Sequence, residues 1–286
     1  MESMARTLWL RTEPLHAVVY FDAQCREMGR SLGLKGYWMG YFATRSAPLG
    51  RAQPSVVTAA FGVFAPGPVA RALPASWDIT TPERALDLRA ERSAAALRAL
   101  DPELERRAER LTGPLRAMVA DAPALARPVF AANRALPDRA DPVEQVWQLT
   151  TSLREFRGDA HLAVLADRGL DGCEALLLAA ADGRVPADSI RQDRGWTAEE
   201  WAGAGARLRE RGLLAAGGAL TERGRDERRS IEDDTDRLAG RLLRPLSGDR
   251  AQALFSDLAP VMDRVLAGQV LPFPNPIGLP RPVRPL

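Results

Sequence analysis

Leu86, Ala90, Ala94 and Leu97 recur at three- and four-residue intervals, as do Leu104, Ala108 and Leu111, with Arg and Glu filling most of the positions between. This is the period of α-helices that turn one apolar stripe to a core and their charges to water. The starts are punctuated as well. "TTPERALDL" offers Thr80 or Thr81 as N-cap with Pro82 in the first turn, "DPELERRAERL" offers Asp101 and Pro102, and "DPVEQVWQL" offers Asp141, Pro142 and Glu144. Proline lacks an N–H that would have no partner there, and the preceding Asp or Thr accepts from the orphan donors. Convincing strand alternation is almost absent, so the chain is predicted to be mainly α.

From Asp171 the pattern changes. An apolar helix "CEALLLAAADG" is followed by "VPADSIRQDRGW", by "TAEEWAGAGARLRERG" and by "LLAAGGALTERGRDERR". Thr197 and Glu200 have capping-box spacing, Trp201, Ala204, Gly205 and Leu208 form the apolar face, and Gly212 stops the helix. "LLA", "AGG" and "ALT" read as a small β-hairpin, and Thr221 opens another helix. Helix, helix, helix, hairpin, helix is the order of a winged helix-turn-helix. The expected architecture is a helical N-terminal domain (1–140) packed on a winged helix-turn-helix domain (141–245). A C-terminal helix and an extended, proline-rich tail (246–286) complete it.

The 286 residues suit two packed domains. Lys35 is the only lysine among 39 cations, and the net charge is +2. Arginine used this uniformly reflects composition rather than a nucleic-acid footprint. Cys25 and Cys173 are too few and too distant for a disulfide framework or a CxxC site, so a reducing cytoplasm is expected. The longest apolar run near the middle, "ALLLAAA", is far short of a membrane span, and the N-terminus lacks a secretory apolar stretch.

Several segments together resemble a family of actinobacterial helix-turn-helix-containing proteins with a distant likeness to MarR-type regulators. They are "LHAVVYF", "GYWMGYFATRSAPLG", "REFRGDAHLAVLADRGLDG", "RGWTAEEW", "LTERGRDERRSIEDDTDRL" and "PNPIGLP". The resemblance spans nearly the whole chain and departs at Phe156, where the family usually carries histidine. It implies a fold and leaves the chemistry open.

A DNA-reading helix presents its N-terminal residues to base edges and its cations to phosphates. Here that end carries Glu199 and Glu200, the hairpin tip "AAGGA" has no cation, and residues 195–230 hold seven arginines against six acidic residues. Phosphate neutralisation supplies most non-specific affinity, so DNA is allowed as a partner but not favoured.

The chemistry concentrates elsewhere. His16 and Tyr20 are four apart, as are Tyr37 and Tyr41, and Trp38, Tyr41 and Arg45 continue the second segment. Such an apolar wall with a few polar tips is how small-molecule pockets are built, although aromatics at helical spacing are as readily core residues. Glu155, Arg157, Asp159 and His161 lie within seven positions. Gly158 is expected to end the helix begun at Pro142 in a left-handed cap, with Asp159 capping the next. If the helix instead continues, Arg157 and His161 share a face, as do Glu155 and Asp159.

His161 is read as a proton-transfer group, Asp159 as its orienting carboxylate and Arg157 as the holder of an anionic or carbonyl oxygen. His16, Tyr20, Trp38, Tyr41, Arg45, Glu155 and Asn275 are expected to bind the ligand in a pocket between the two domains. The acidic "IEDDTDRL" is expected to be a solvated, salt-bridged face. No GxSxG, HExxH, P-loop or Rossmann fingerprint occurs, and no metal site is expected. The cofactor stays open, since either imidazole suffices for axial haem ligation. The leading expectation is a cytoplasmic small-molecule-binding protein of bacterial specialised metabolism, with an enzyme of unspecified reaction class within that reading. The alternative is a ligand-responsive DNA-binding regulator, and a homodimer is compatible with both.

Overall fold

The structure is a computed structural model and describes residues 3–281. Its α-helices are α1 (Met4–Phe21), α2 (Ala23–Arg26), α3 (Met28–Ser31), α4 (Gly36–Ser46), α5 (Pro54–Phe61), α6 (Pro66–Ala72), α7 (Pro82–Leu100) and α8 (Leu104–Asp121). They continue with α9 (Pro128–Arg134), α10 (Pro142–Asp167), α11 (Gly172–Ala181), α12 (Ile190–Asp193), α13 (Ala198–Glu210), α14 (Glu222–Ala239) and α15 (Gly248–Ala267). The capping chemistry explains most starts. Thr81 accepts from the Arg84 N–H, Asp141 accepts from Val143 and Glu144, and Thr197 with Glu200 closes a capping box. Asp171 and Glu174 close a second box at α11. At α8 the start falls later than expected. Asp101 accepts from the Glu103 N–H in a local turn, and the helix begins at Leu104.

The centre of the molecule is α10. Of its 26 residues 17 are buried, including Gln145, Gln148, Thr151, Glu155, Arg157 and Asp159. A helix buried on all sides loses the one-sided stripe of a surface helix, and its polar groups must find partners inside the protein. Its N-terminal part, through Phe156, joins a large core with α1, α4, α7, α8 and α15. From Val164 it joins a second, smaller core with Leu178, Leu208, Leu213 and Ile231. The expected boundary at residue 140/141 thus precedes a helix that both cores share. Leu254, Leu258 and Val265 of α15 return to the first core.

Two expectations are corrected. No strand or sheet exists among the described residues. The expected β-hairpin wing is a tight turn with one isolated bridge between Leu214 and Leu220. Its sequence explains this, because the Ala and Gly of "AAGGA" bring almost no side-chain surface to pair across strands, and Gly218 at φ +83° reverses the chain at once. Gly158 does not end a helix. α10 runs through it to Asp167, so Asp159 caps no following helix. The tertiary burial of α10 outweighs glycine's helix penalty of about 1 kcal/mol.

Candidate functional site

A hollow of about 210 Å³ opens where the two cores meet. α10 supplies Arg154, Glu155, Arg157, Asp159 and His161, α1 supplies Trp9 and Glu13, and α4 supplies Tyr41 and Arg45. Phe61 and Phe64 form an aromatic side, α14 adds Arg228 and Glu232, and Pro276 to Gly278 of the C-terminal segment cover another side. A second hollow of about 30 Å³, large enough for ordered water only, is lined by His16, Tyr20 and Trp147. Tyr41, Arg45 and Glu155 border both and form the partition. The two imidazoles therefore face different spaces.

The hydrogen bonds fix both tautomers. The Thr151 hydroxyl donates to the Trp147 carbonyl at 2.9 Å, so toward His16 Nδ1, also 2.9 Å away, it accepts. His16 Nδ1 carries the proton, and Nε2 accepts from the Tyr20 hydroxyl at 3.1 Å. Both nitrogens are satisfied, the ring stacks on Trp147, and burial followed by the field of Arg154 holds its pKa well below the usual value. Thr235 repeats the device. Its hydroxyl donates to the Ile231 carbonyl at 2.7 Å and accepts from His161 Nδ1 at 3.1 Å. Here Nε2 has no hydrogen-bond partner among the described residues and keeps a free lone pair. Burial, reinforced by Arg228 and Arg157 against the pull of Glu232, lowers the His161 pKa to about 4. The ring is neutral at pH 7.

Asp159 does not orient His161. Its carboxylate accepts from the Phe130 N–H at 2.8 Å, an orphan donor in the first turn of α9, so it caps another helix from outside. Burial, with Glu155 adding to it, raises its pKa to about 7 in spite of that bond. Arg157 is engaged by Glu232 at 3.1 Å and Asp236 at 3.0 Å and lies 4.6 Å over the Trp9 ring. Asp236 also binds Arg6, so "IEDDTDRL" is a salt-bridged face that is partly buried rather than simply solvated. Burial alone would raise Glu155, but Arg154 at 2.8 Å and Arg45 outweigh it and draw the pKa down to about 2. Trp38 packs on Phe42 and Phe64. Asn275 is fully buried, and its amide bonds the Leu279 N–H and carbonyl at 3.0 and 2.9 Å. It shapes the Pro276–Gly278 wall from behind and does not itself border the hollow.

A family model described as a helix-turn-helix family matches residues 5–272. The chain belongs to that family. Comparison with curated proteins and with solved structures gave no match. In this helix-turn-helix protein α11 packs on α13. Two arginines here are engaged within the protein: the half-exposed Arg207 of α13 binds Asp171 at 2.6 Å and Glu174 at 2.8 Å, and Arg211, just past the helix, donates to the Gly169 and Arg168 carbonyls, while Arg209 stays exposed. Glu199 and Glu200 stay exposed at its N-terminus. Among the described residues no three His, Cys, Asp or Glu side chains are grouped to hold a metal, and no helix is long and apolar enough to cross a membrane. A haem macrocycle does not fit either space, since an apolar cavity of roughly 150 Å³ already fills with benzene. His16 has no free nitrogen besides.

Sequence reasoning missed Glu13, Arg154, Arg194 and Phe64. Glu13 was findable, because it precedes His16 by three positions and follows Trp9 by four, and its carboxylate accepts from the Trp9 indole at 3.2 Å. Arg194, in "RQDRGW", reaches the hollow only through tertiary packing, and no local pattern marks it.

Proposed function

We propose that this helix-turn-helix protein is a small-molecule-binding protein whose ligand occupies the hollow between the two cores. The observation that carries the reading is the convergence on one roughly 210 Å³ space of six arginines, four carboxylates and a histidine with a free nitrogen, between aromatic side chains. Desolvating so many polar groups is costly, and a pre-formed concave site with a few oriented polar tips is where proteins accept that cost. Recognition fits this geometry better than proton transfer. His161, with a pKa of about 4, is a weak base at neutral pH, and Asp159, whose pKa of about 7 would suit catalysis, is committed to the Phe130 N–H. His161 Nε2 would then accept a hydrogen bond from an N–H or O–H of the ligand. Cytoplasmic specialised metabolism is the setting this reading assigns.

A thermal-shift screen of small acids, bases and neutral compounds against the intact chain and Ala179→Trp tests it. Ala179 lines the hollow, and tryptophan there would fill it. Hits lost in the variant support the reading, and hits that persist place the site elsewhere.

Family membership favours a second reading, a ligand-responsive DNA-binding regulator, and the likeness of "REFRGDAHLAVLADRGLDG" to actinobacterial and distantly MarR-like proteins supports it. A mobility-shift assay with the protein's own upstream DNA at physiological salt separates the two. Specific retardation relieved by a hollow-binding compound supports regulation, and its absence leaves binding alone.

A further inference from the structure

Six arginines border the hollow, and the ion pairs sort them. Arg154 has Glu155 and Glu13, Arg157 has Glu232 and Asp236, Arg184 and Arg228 share Asp182, and Arg45 lies 3.6 Å from Glu155. Arg194 has no carboxylate at ion-pair distance among the described residues. It is 6% exposed, donates from Nη2 to the Pro276 carbonyl, and leaves its buried Nε without a partner. Arg45 likewise leaves Nε without a hydrogen bond, while its Nη1 donates to the Tyr41 hydroxyl at 3.0 Å.

Both guanidinium groups lie against aromatic rings on the same side of the space. Arg45 sits 4.0 Å over Phe61 and Arg194 sits 4.6 Å over Phe64, with the two ring centres 6.5 Å apart. Stacking on a ring face compensates part of a cation's lost hydration, but it cannot replace an anion. A buried guanidinium stays charged at any physiological pH, and an anion entering the hollow would supply Arg194 with the countercharge that no carboxylate among the described residues gives it at ion-pair distance. The space also limits the occupant, because roughly 150 Å³ suffices for a benzene-sized guest and 210 Å³ leaves room for a ring and one substituent.

We propose that Arg194 and Arg45 form an anion subsite, and that the ligand is a single-ring aromatic acid, a carboxylate or phosphate, whose acidic group lies between them and whose ring packs on Phe61 and Phe64. This rests on the small-molecule reading above and names its ligand class. The Pro276 carbonyl, already held by Arg194, makes the C-terminal segment part of the same subsite. Fork-shaped donors match planar carboxylate and tetrahedral phosphate oxygens better than an ammonium does.

The test is titration calorimetry of the full chain, at fixed ionic strength and pH 7.5, with benzoate, phenyl phosphate, benzamide, benzyl alcohol and inorganic phosphate. At least one aromatic anion is expected to bind one-to-one and at least tenfold more tightly than its neutral counterpart. Arg194→Gln should lose at least tenfold for the anion and leave the neutral compounds unchanged, and Arg194→Lys should keep part of the anion's advantage. Circular dichroism and the unchanged neutral binding show that the variant is folded. If Arg194→Gln fails to fold, Arg45→Gln and the wild-type preference for anions decide the matter. Neutral compounds that bind as tightly as the anions overturn the anion subsite and leave the small-molecule reading standing. Inorganic phosphate that binds as tightly as phenyl phosphate overturns the aromatic half. Binding of none of the five overturns the proposed ligand class, and the broader screen with Ala179→Trp then decides whether the hollow binds anything.

Discussion

Thr235 sets the proton of His161. Its hydroxyl hydrogen goes to the Ile231 carbonyl at 2.7 Å, so the imidazole 3.1 Å away must donate from Nδ1, and Nε2 is left as an acceptor bordering the hollow. Thr235→Val keeps the shape and removes the acceptor. Nitrogen-15 NMR should show an Nδ1–H ring in the native chain and a mixture of tautomers in the variant, with stability lower by about 1 kcal/mol. An Nε2–H ring in the native chain would refute the assignment.

Asp159 should dominate one part of the pH profile. Its folded pKa of about 7 lies above the ordinary carboxylate value of 3.8, because burial and Glu155 disfavour the charged form more than the Phe130 N–H favours it. The folded state then binds more protons than the unfolded state between those values. Asp159's contribution to stability is complete below about pH 4, declines as pH rises toward 7 and is flat above. His161, with its depressed pKa of about 4, has the opposite slope up to its ordinary value of 6.5. Asp159→Asn keeps an oxygen for the Phe130 N–H and removes only the first effect. Its stability relative to the native chain should climb between pH 4 and 7, by at most about 4 kcal/mol since each pKa unit is worth about 1.4 kcal/mol, and level off by pH 8, read from urea unfolding at each pH.

What could be read from the chain was local. Thr81, Asp141 and Thr197 announce helix starts because a cap acts within three residues, and the structure finds each in place. Gly158 misled for the same reason: glycine's cost is local, while the burial that carries α10 past it comes from α1, α8 and α14. The wing was read from "LLA", "AGG" and "ALT", but strand pairing needs side chains that "AAGGA" lacks, and one isolated bridge forms instead. At the site, helical spacing paired Arg157 with His161 and Glu155 with Asp159 only if the helix ran on through Gly158, as it does, whereas the separation of His16 from His161 depends on where Tyr41, Arg45 and Glu155 pack. Arg194 and Pro276 are 82 residues apart in the chain, a pairing to which no periodicity points.

Gly172, at the start of α11, packs directly on the backbone of Gly62. A Cβ built there would lie 1.9 Å from the Gly62 carbonyl oxygen and 2.9 Å from its carbon, so the backbone itself would have to move. Gly172→Ala should cost about 3 kcal/mol, at the upper end for overpacking, because no flexible side chain can yield. Chemical denaturation measures the loss. A cost under about 0.5 kcal/mol would show that α11 does not pack against residue 62 in this way.

Gly158 tests whether the hollow is a designed space or a packing remainder. It lies in mid-helix on the hollow's wall, and a Cβ there would meet only Glu155 Oε2 at 3.6 Å and Arg154 Nη1 at 3.9 Å, both ordinary contacts. Helix propensity and the reduced entropy of the unfolded chain both favour alanine, so Gly158→Ala should raise stability by about 0.5–1 kcal/mol. The larger Gly158→Leu should retain most of that stability, because it grows into vacant volume rather than into packed atoms, and it should abolish binding of any compound held between Arg45 and Arg194. Stability and binding then move in opposite directions, as they do where a protein keeps a space open for a ligand at the expense of its own packing. A leucine variant that binds as the native chain does would place the ligand outside this hollow.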